Sequence, residues 1–112
     1  MVGANLLIDR SNVVAMGVES AFAISADRGD NSVTINAGAD EEIQRFDTTL
    51  TANRTVSLGT GFKGAQFRIV RTGLGAFTLD VGGLKTIASA TAAFVDVAHD
   101  GSAWVLTGFG AL

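Results

Sequence analysis

The sequence predicts an all-β fold, a small antiparallel β-sandwich or barrel that assembles as a trimer. Its 112 residues include 14 glycines and no proline, a composition that suits many tight turns. Short apolar runs recur about every 8 to 12 residues with turn residues between them, which is typical of sandwiches and barrels. Apolar residues make up 47% of the chain and charged residues 17%. A domain of this size cannot bury so much apolar side chain alone, so an oligomer is expected.

The chain is long enough for one domain, and we predict a single β domain over residues 21–112. Residues 1–20 carry weak strand signals and are predicted to be an N-terminal arm or docking segment. An apolar run within this segment, Leu6, Leu7 and Ile8, is the candidate contact with a larger particle.

Beyond residue 20, seven segments and a C-terminal hairpin alternate or carry β-branched residues in the way that strands do. Residues 38–47 could instead form one or two helical turns, although no amphipathic repeat continues beyond them. The candidate strands are 22–25, 32–36, 43–47, 54–58, 66–71, 76–81 and 84–88, followed by a hairpin over 93–107.

The segments 66–71 and 76–81 are predicted to form an antiparallel hairpin. A five-residue loop over 72–76 keeps apolar residues opposite apolar residues and brings opposite charges together. This register pairs Phe67 with Val81, Arg68 with Asp80 and Ile69 with Leu79.

The C-terminal hairpin gives the clearest signal, because Asp100-Gly101 suits a two-residue type I′ turn between two apolar runs. That turn pairs His99 with Ser102, Val97 with Trp104 and Val95 with Leu106. Both faces of the hairpin are largely apolar, and a single small sheet covers only one of them. The expected oligomer interface is therefore Phe94, Trp104, Val105, Phe109 and Leu112.

Composition excludes several classes of function. The net charge of −3 leaves no excess of basic residues for binding nucleic acid. The absence of cysteine excludes disulfides and thiolate metal sites. No apolar run approaches the ~20 residues of a membrane span. We therefore expect no nucleic-acid partner and no membrane segment.

Three patterns could carry chemistry, and each has a simpler explanation. Residues 59–64 match G-x-G-x-x-G, but a strand pattern follows them where a dinucleotide site needs a helix. His99 has no nucleophile pattern near it and reads as a surface turn residue.

The third pattern is acidic: 27–31 and 40–42 could offer oxygen ligands to Ca²⁺, yet neither has EF-hand spacing, and solvated turns explain both. We predict no enzyme activity, no cofactor and no metal site.

Four stretches, residues 50–58, 64–71, 75–82 and 95–106, resemble a small β domain that recurs in tailed-bacteriophage virion proteins. In those proteins the domain often ends a tail fibre or a related surface protein. The resemblance covers a little over half of the chain and implies a place on the virion surface and a trimer. It transfers no catalytic residue.

The chain departs from a fibre because no long repetitive shaft precedes the domain. That favours a capsid decoration (cement) protein, whose partner is the major capsid protein or another virion protein. The alternative is a tail-fibre or spike tip that attaches to the host by binding its surface polysaccharide.

Overall fold

A computed structural model describes residues 23–112. This part of the chain forms strands and turns and contains no helix that could cross a membrane. Its nine strands are β1 (Ile24–Asp27), β2 (Val33–Ile35), β3 (Ile43–Phe46), β4 (Arg54–Leu58), β5 (Gln66–Arg71), β6 (Leu79–Val81), β7 (Lys85–Ile87), β8 (Ala93–His99) and β9 (Trp104–Ala111).

The first six strands alternate between two sheets. β1, β3 and β5 belong to a five-stranded sheet with the order β9-β8-β5-β3-β1, and β2, β4 and β6 belong to a four-stranded sheet with the order β2-β4-β6-β7. Every pairing among these six strands is parallel. The chain therefore winds through three successive coils, each with one strand in each sheet, as in a β-solenoid.

Polar side chains at the corners tie each coil to the next. Asp27 Oδ1 accepts a hydrogen bond from Asp47 N at 2.9 Å, and Asp47 Oδ1 accepts one from Thr72 Oγ1 at 2.6 Å. At the other corner, Asn36 Oδ1 accepts from Thr60 N at 2.8 Å. The bonded residues are 20 to 25 positions apart, which is the length of one coil. Two of these bonds satisfy backbone N–H groups of the turns, those of Asp47 and Thr60.

The core lies between the two sheets, because alternate residues of each strand point inward. Gln44 and Arg71 are buried together with the apolar side chains. The buried apolar cluster consists of Ile35, Phe46, Leu50, Val56, Phe67, Ile69, Leu79, Val81, Ile87, Ala93, Val95 and Val97.

Antiparallel strands follow the third coil. Gly82 and Gly83, with φ of +58° and +71°, turn the chain from β6 into β7. Residues 88–92 then cross to the other sheet, where β8 pairs with β5, and β9 pairs with β8. β7 and β9 are thus the outermost strands of the two sheets at this end. We call these two strands the C-terminal edge.

The all-β prediction is confirmed, whereas the antiparallel arrangement is wrong because both sheets are mixed. The two sheets do not close into a barrel within residues 23–112. An alternating pattern fixes the two faces of a strand but not the direction of its neighbour, and coils of unequal length leave no sequence repeat. The strand expected over 43–47 is confirmed as β3, and the alternative of helical turns within 38–47 is not observed.

The hairpin predicted between 66–71 and 76–81 is wrong. β5 lies between β3 and β8, and β6 pairs with β4 and β7, because residues 72–78 turn a corner between the sheets. Arg68 consequently meets Asp96 rather than Asp80. Its Nε donates to Asp96 Oδ1 at 2.7 Å and its Nη2 donates to Oδ2 at 2.8 Å.

The C-terminal hairpin is confirmed as an antiparallel pair, but its register differs from the prediction by two residues. The observed pairs are Trp104 with His99, Val105 with Ala98 and Leu106 with Val97. Because the difference is even, the predicted faces are kept. A bulge between Leu106 and Gly108 then places Phe109 opposite Val95.

The hairpin loop is longer than predicted because Asp100 organises it. Asp100 Oδ1 accepts hydrogen bonds from Ala103 N at 2.9 Å and Ser102 N at 2.7 Å. These two N–H groups hold the pKa of Asp100 below its usual value, and that of Ala103 has the larger effect. A carboxylate that folds back onto the backbone in this way makes the loop residues 100–103 a turn in their own right.

Candidate functional site

The exposed apolar side chains on β9 and directly after it are the best candidate for a contact surface. Val105, Phe109 and Leu112 are 38%, 55% and 63% exposed. All three belong to the interface predicted from the sequence. Grouped apolar side chains mark an interaction site more often than scattered ones do. The other exposed large apolar side chains are Ile24, Phe62, Leu74, Phe77 and Leu84.

A groove of about 270 Å³ lies along the C-terminal edge, and Phe109 is part of its wall. Lys85 Nζ lies 4.0 Å from the centre of the Phe109 ring, a cation–π contact that covers part of the ring. Lys85 is the one charged residue of this lining, so the groove suits an apolar partner. The lining consists of Lys85, Thr86, Ile87, Ala88, Thr91, Ala93, Phe94, Val95, Phe109, Gly110 and Ala111.

Trp104, also predicted at the interface, has neighbours within its own chain. It is partly buried against the core. Its Nε1 donates to Gly59 O at 3.0 Å. Its ring lies 5.5 Å from that of Phe67 and 5.1 Å from that of His99, between ring centres. This ring therefore ties the C-terminal hairpin to the loop between β4 and β5.

Phe94 likewise packs within the chain, on the outer face of the five-stranded sheet. The Arg68 guanidinium carbon lies 4.6 Å from the centre of its ring. A Cβ at Gly110 would come within 3.0 Å of Phe94 Cε1, so the glycine makes room for the ring. The hydrogen bonds that Arg68 donates to Asp96 raise the pKa of Arg68 and hold its guanidinium over the ring. Phe94 is therefore half-buried between a cation and the backbone of β9.

The G-x-G-x-x-G stretch is a loop that joins β4 to β5, as predicted. Its first two glycines allow close packing. A Cβ at Gly59 would lie 2.2 Å from Asn36 Oδ1, and one at Gly61 would lie 2.3 Å from His99 Cδ2. His99 itself closes the hairpin, because its Nδ1 accepts a hydrogen bond from Gly101 N at 3.0 Å.

The acidic residues considered as calcium ligands hold the corners of the coils. Asp30 accepts hydrogen bonds from Arg54 Nε at 3.0 Å and from Thr51 Oγ1 at 2.5 Å, and these lower its pKa to about 2. The Thr48 hydroxyl, with two backbone N–H groups, lowers the pKa of Asp27. Asp40 Oδ2 accepts from Asn36 N at 2.7 Å. Residues 23–112 contain no group of three or more histidine or carboxylate side chains placed to hold a metal ion.

Arg71 is a buried residue that the sequence prediction missed. Its side chain is 0% exposed, with Nε donating to Gly73 O at 2.9 Å and Nη1 to Ala88 O at 3.1 Å. Nη2 has no partner among residues 23–112, and burial lowers the pKa of the guanidinium. Alternation with Phe67 and Ile69 could have indicated its inward direction.

The candidate particle contact, Leu6, Leu7 and Ile8, lies outside the described residues, as does the whole predicted arm. Comparison of the chain with protein-family models, with curated proteins and with solved structures finds no match.

Proposed function

We propose that this chain is a non-enzymatic structural protein of a phage-like particle, a homotrimeric decoration protein on the capsid surface. The exposed apolar C-terminal edge carries the proposal. A decoration protein has to bind neighbouring copies and the particle, and that edge offers apolar surface for such contacts. The resemblance of the chain to virion-surface β domains supports the same conclusion.

The use of the polar side chains supports a structural role over an enzymatic one. General acid–base catalysis needs a side chain that can reach a reacting group. Within residues 23–112, His99 accepts a backbone N–H through Nδ1, and Asp27, Asp30 and Asp40 accept hydrogen bonds from turns. These groups stabilise turns and coils.

A tail-fibre or spike tip that binds host polysaccharide is the second candidate. The observation that favours it is Phe62, which is 56% exposed beside a depression of about 240 Å³ lined by Asp40, Glu42 and Gln66. An exposed aromatic ring next to carboxylate and amide groups can stack on a sugar and bond its hydroxyls.

Co-sedimentation with empty capsids of the native phage tests the first candidate. We expect saturable binding with many copies per particle. A deletion of residues 1–10 should stay folded and trimeric but bind capsids more weakly, because the arm carries Leu6, Leu7 and Ile8. If that deletion unfolds the domain instead, the segment is part of the core and not a docking arm.

The matched variants Phe109→Ala and Phe62→Ala separate the two candidates, because the two rings are 55% and 56% exposed. A decoration protein should lose assembly with Phe109→Ala and keep it with Phe62→Ala. Binding to purified cell-surface polysaccharide that Phe62→Ala abolishes, with no binding to capsids, would reject the decoration role.

A further inference from the structure

The two sheets differ by one strand, and the difference leaves β9 without a facing strand at the C-terminal edge. The three coils place β1, β3 and β5 across from β2, β4 and β6, and β8 and β7 extend the two sheets in the same way. β9 is then the fifth strand of its sheet, whereas the other sheet ends at its fourth strand, β7. Among residues 23–112, no strand lies on the free side of β7, across from β9.

The side chain of Phe109 shows the effect of this difference. Phe109 lies opposite Val95 in the β8–β9 pair, and Val95 points into the core at 1% exposure. Residues directly opposite each other on neighbouring strands share a face, so Phe109 also points inward. Its side chain is nevertheless 55% exposed. The groove of about 270 Å³ beside it, between β7 and β9, is where a strand paired with β7 would lie.

Apart from the bulge after Leu106, β9 lacks the features that protect a free edge strand. It is eight residues long, Trp104–Ala111, and contains neither a charged residue nor proline. On its outer side, no strand of residues 23–112 pairs with its backbone N–H and C=O groups. A long, uncharged edge of this kind is a template for pairing with a strand of another chain.

We propose that β9 of one copy pairs with β7 of a second copy and becomes the fifth strand of that copy's four-stranded sheet. A second copy is the occupant because the same chain carries both the surplus strand and the sheet that is one strand short. The two edges differ, so the contact is heterologous, and around a three-fold axis it closes a ring in which each copy gives one β9 and receives another. The number of copies in the ring rests on the proposed trimer, whereas the strand pairing does not.

The strand directions are compatible with this contact. β9 and β5 run in the same direction, because β8 is antiparallel to both. β7 also runs in that direction, since it is antiparallel to β6 and the chain reverses when it crosses between the sheets from β5 to β6. Rotation about an axis along the strands keeps their direction, so β9 and the neighbouring copy's β7 form a parallel pair, as the strands of successive coils do. The inward side chains of the three β9 strands, Phe109 among them, then face one another around the axis.

Cross-linking between introduced cysteines tests the pairing, because the chain has no cysteine of its own. The double variant carries Thr107→Cys in β9 and Thr86→Cys in β7, both at exposed positions. Within one copy the two residues lie on the outer faces of different sheets, and pairing between copies places them on one continuous face. We expect a short bismaleimide to join the copies into covalent trimers on denaturing gels.

Two controls separate this contact from the other ways in which the edge could bind a second copy. Thr107→Cys alone should give no covalent product. Thr107→Cys combined with Thr34→Cys, an exposed position of β2 at the other end of the four-stranded sheet, should give none either. Covalent dimers from Thr107→Cys alone would mean that two β9 strands pair with each other, and links to position 34 would mean that copies stack end to end. Either result would overturn the proposal. Covalent dimers as the largest product of the Thr86→Cys and Thr107→Cys variant would keep the strand pairing and reject the trimer.

Amide hydrogen exchange, read by mass spectrometry, tests the same contact in the unmodified chain. In the trimer, residues 85–87 and 104–111 should exchange as slowly as β3, which lies between two strands of its own sheet. Dilution that dissociates the copies should speed exchange in both edge strands and leave β3 unchanged. A trimer in which both edge strands exchange freely would reject the pairing and leave the trimer standing. Slow exchange of the edge strands in a chain that sediments as a monomer would mean that the same chain covers them, and would also overturn the proposal.

Discussion

Individual carboxylates in this protein act as acceptors that connect one coil to the next. Asp30 shows the electrostatic consequence most clearly, because hydrogen bonds from Arg54 and Thr51 lower its pKa to about 2. An unfolded chain would give this group a pKa of about 3.9. The ionised form is therefore favoured in the folded protein, and protonation favours the unfolded chain.

The pH dependence of stability should report this carboxylate. The contribution of Asp30 is fully present above pH 4 and is lost as the pH falls through about 2. Thermal unfolding measured from pH 5 to pH 2 should show a smaller loss of Tm in Asp30→Asn than in the wild type. Glu41→Gln, at an exposed position, should follow the wild-type curve. Parallel curves for Asp30→Asn and the wild type would contradict this assignment.

The buried guanidinium of Arg71 predicts an unusual order of stabilities. Arg71→Met removes a desolvated charge but leaves the carbonyls of Gly73 and Ala88 without this donor, at a net cost of about 1–2 kcal/mol. Arg71→Lys keeps the buried charge and cannot span both carbonyls, so it should cost about 3 kcal/mol or more. Urea unfolding measures both. A lysine variant as stable as the wild type would show that the charge reaches water.

At the scale of the strands, local sequence patterns predicted well where the strands lie along the chain, but they predicted poorly which strands pair with each other. The predicted strands 54–58 and 66–71 match β4 and β5 residue for residue. Alternation identifies the inward residues of a strand, but each parallel partner lies one coil away along the chain, and side chains that carry no common motif form those contacts. The hairpin over 93–107 was predictable because its two strands are joined by a short turn.

The same limit explains the candidate site. Apolar alternation predicted Val105 as uncovered surface, the apolar C-terminal tail added Phe109 and Leu112, and all three are exposed. It could not show that Trp104 meets Gly59, 45 positions away, or that Phe94 lies beneath Arg68. Such contacts depend on which strands become neighbours in the sheets. An interface role for Trp104 and Phe94 stays a prediction.

The corners of the coils leave room for backbone alone at Gly73. A Cβ there would lie 2.4 Å from Thr48 O, a backbone atom of the preceding coil. Gly73→Ala should therefore force the coils apart and lower the unfolding free energy by about 2–3 kcal/mol in urea titrations. Gly83→Ala is the control: no atom lies within 4 Å of the added Cβ, and its φ of +71° should cost only about 1 kcal/mol. Equal losses in the two variants would contradict a clash between the added Cβ at residue 73 and Thr48 O.

At the scale of the whole molecule, the C-terminal edge should set the oligomeric state. Phe109→Asp places a charge in the apolar groove and should convert a trimer to a monomer in analytical ultracentrifugation at micromolar concentration. Phe62→Asp, at a ring with nearly the same exposure, should leave the trimer intact. Val105→Asp tests the outer face of β9 and should also dissociate the trimer. A wild-type chain that sediments as a monomer would reject this assembly.

The coil architecture has a consequence for the dimensions of the molecule. Each coil adds one strand to each sheet, so it lengthens the stack by about 4.8 Å. The corner bonds that join coils connect nearest neighbours, as in other repeat proteins whose stability is close to a sum over adjacent units. A duplicated second coil, residues 43–65, would therefore lift the C-terminal edge by one strand spacing while leaving its residues unchanged. The distance between the first coil and the C-terminal edge can therefore change in steps of one strand spacing without any change to the residues of that edge.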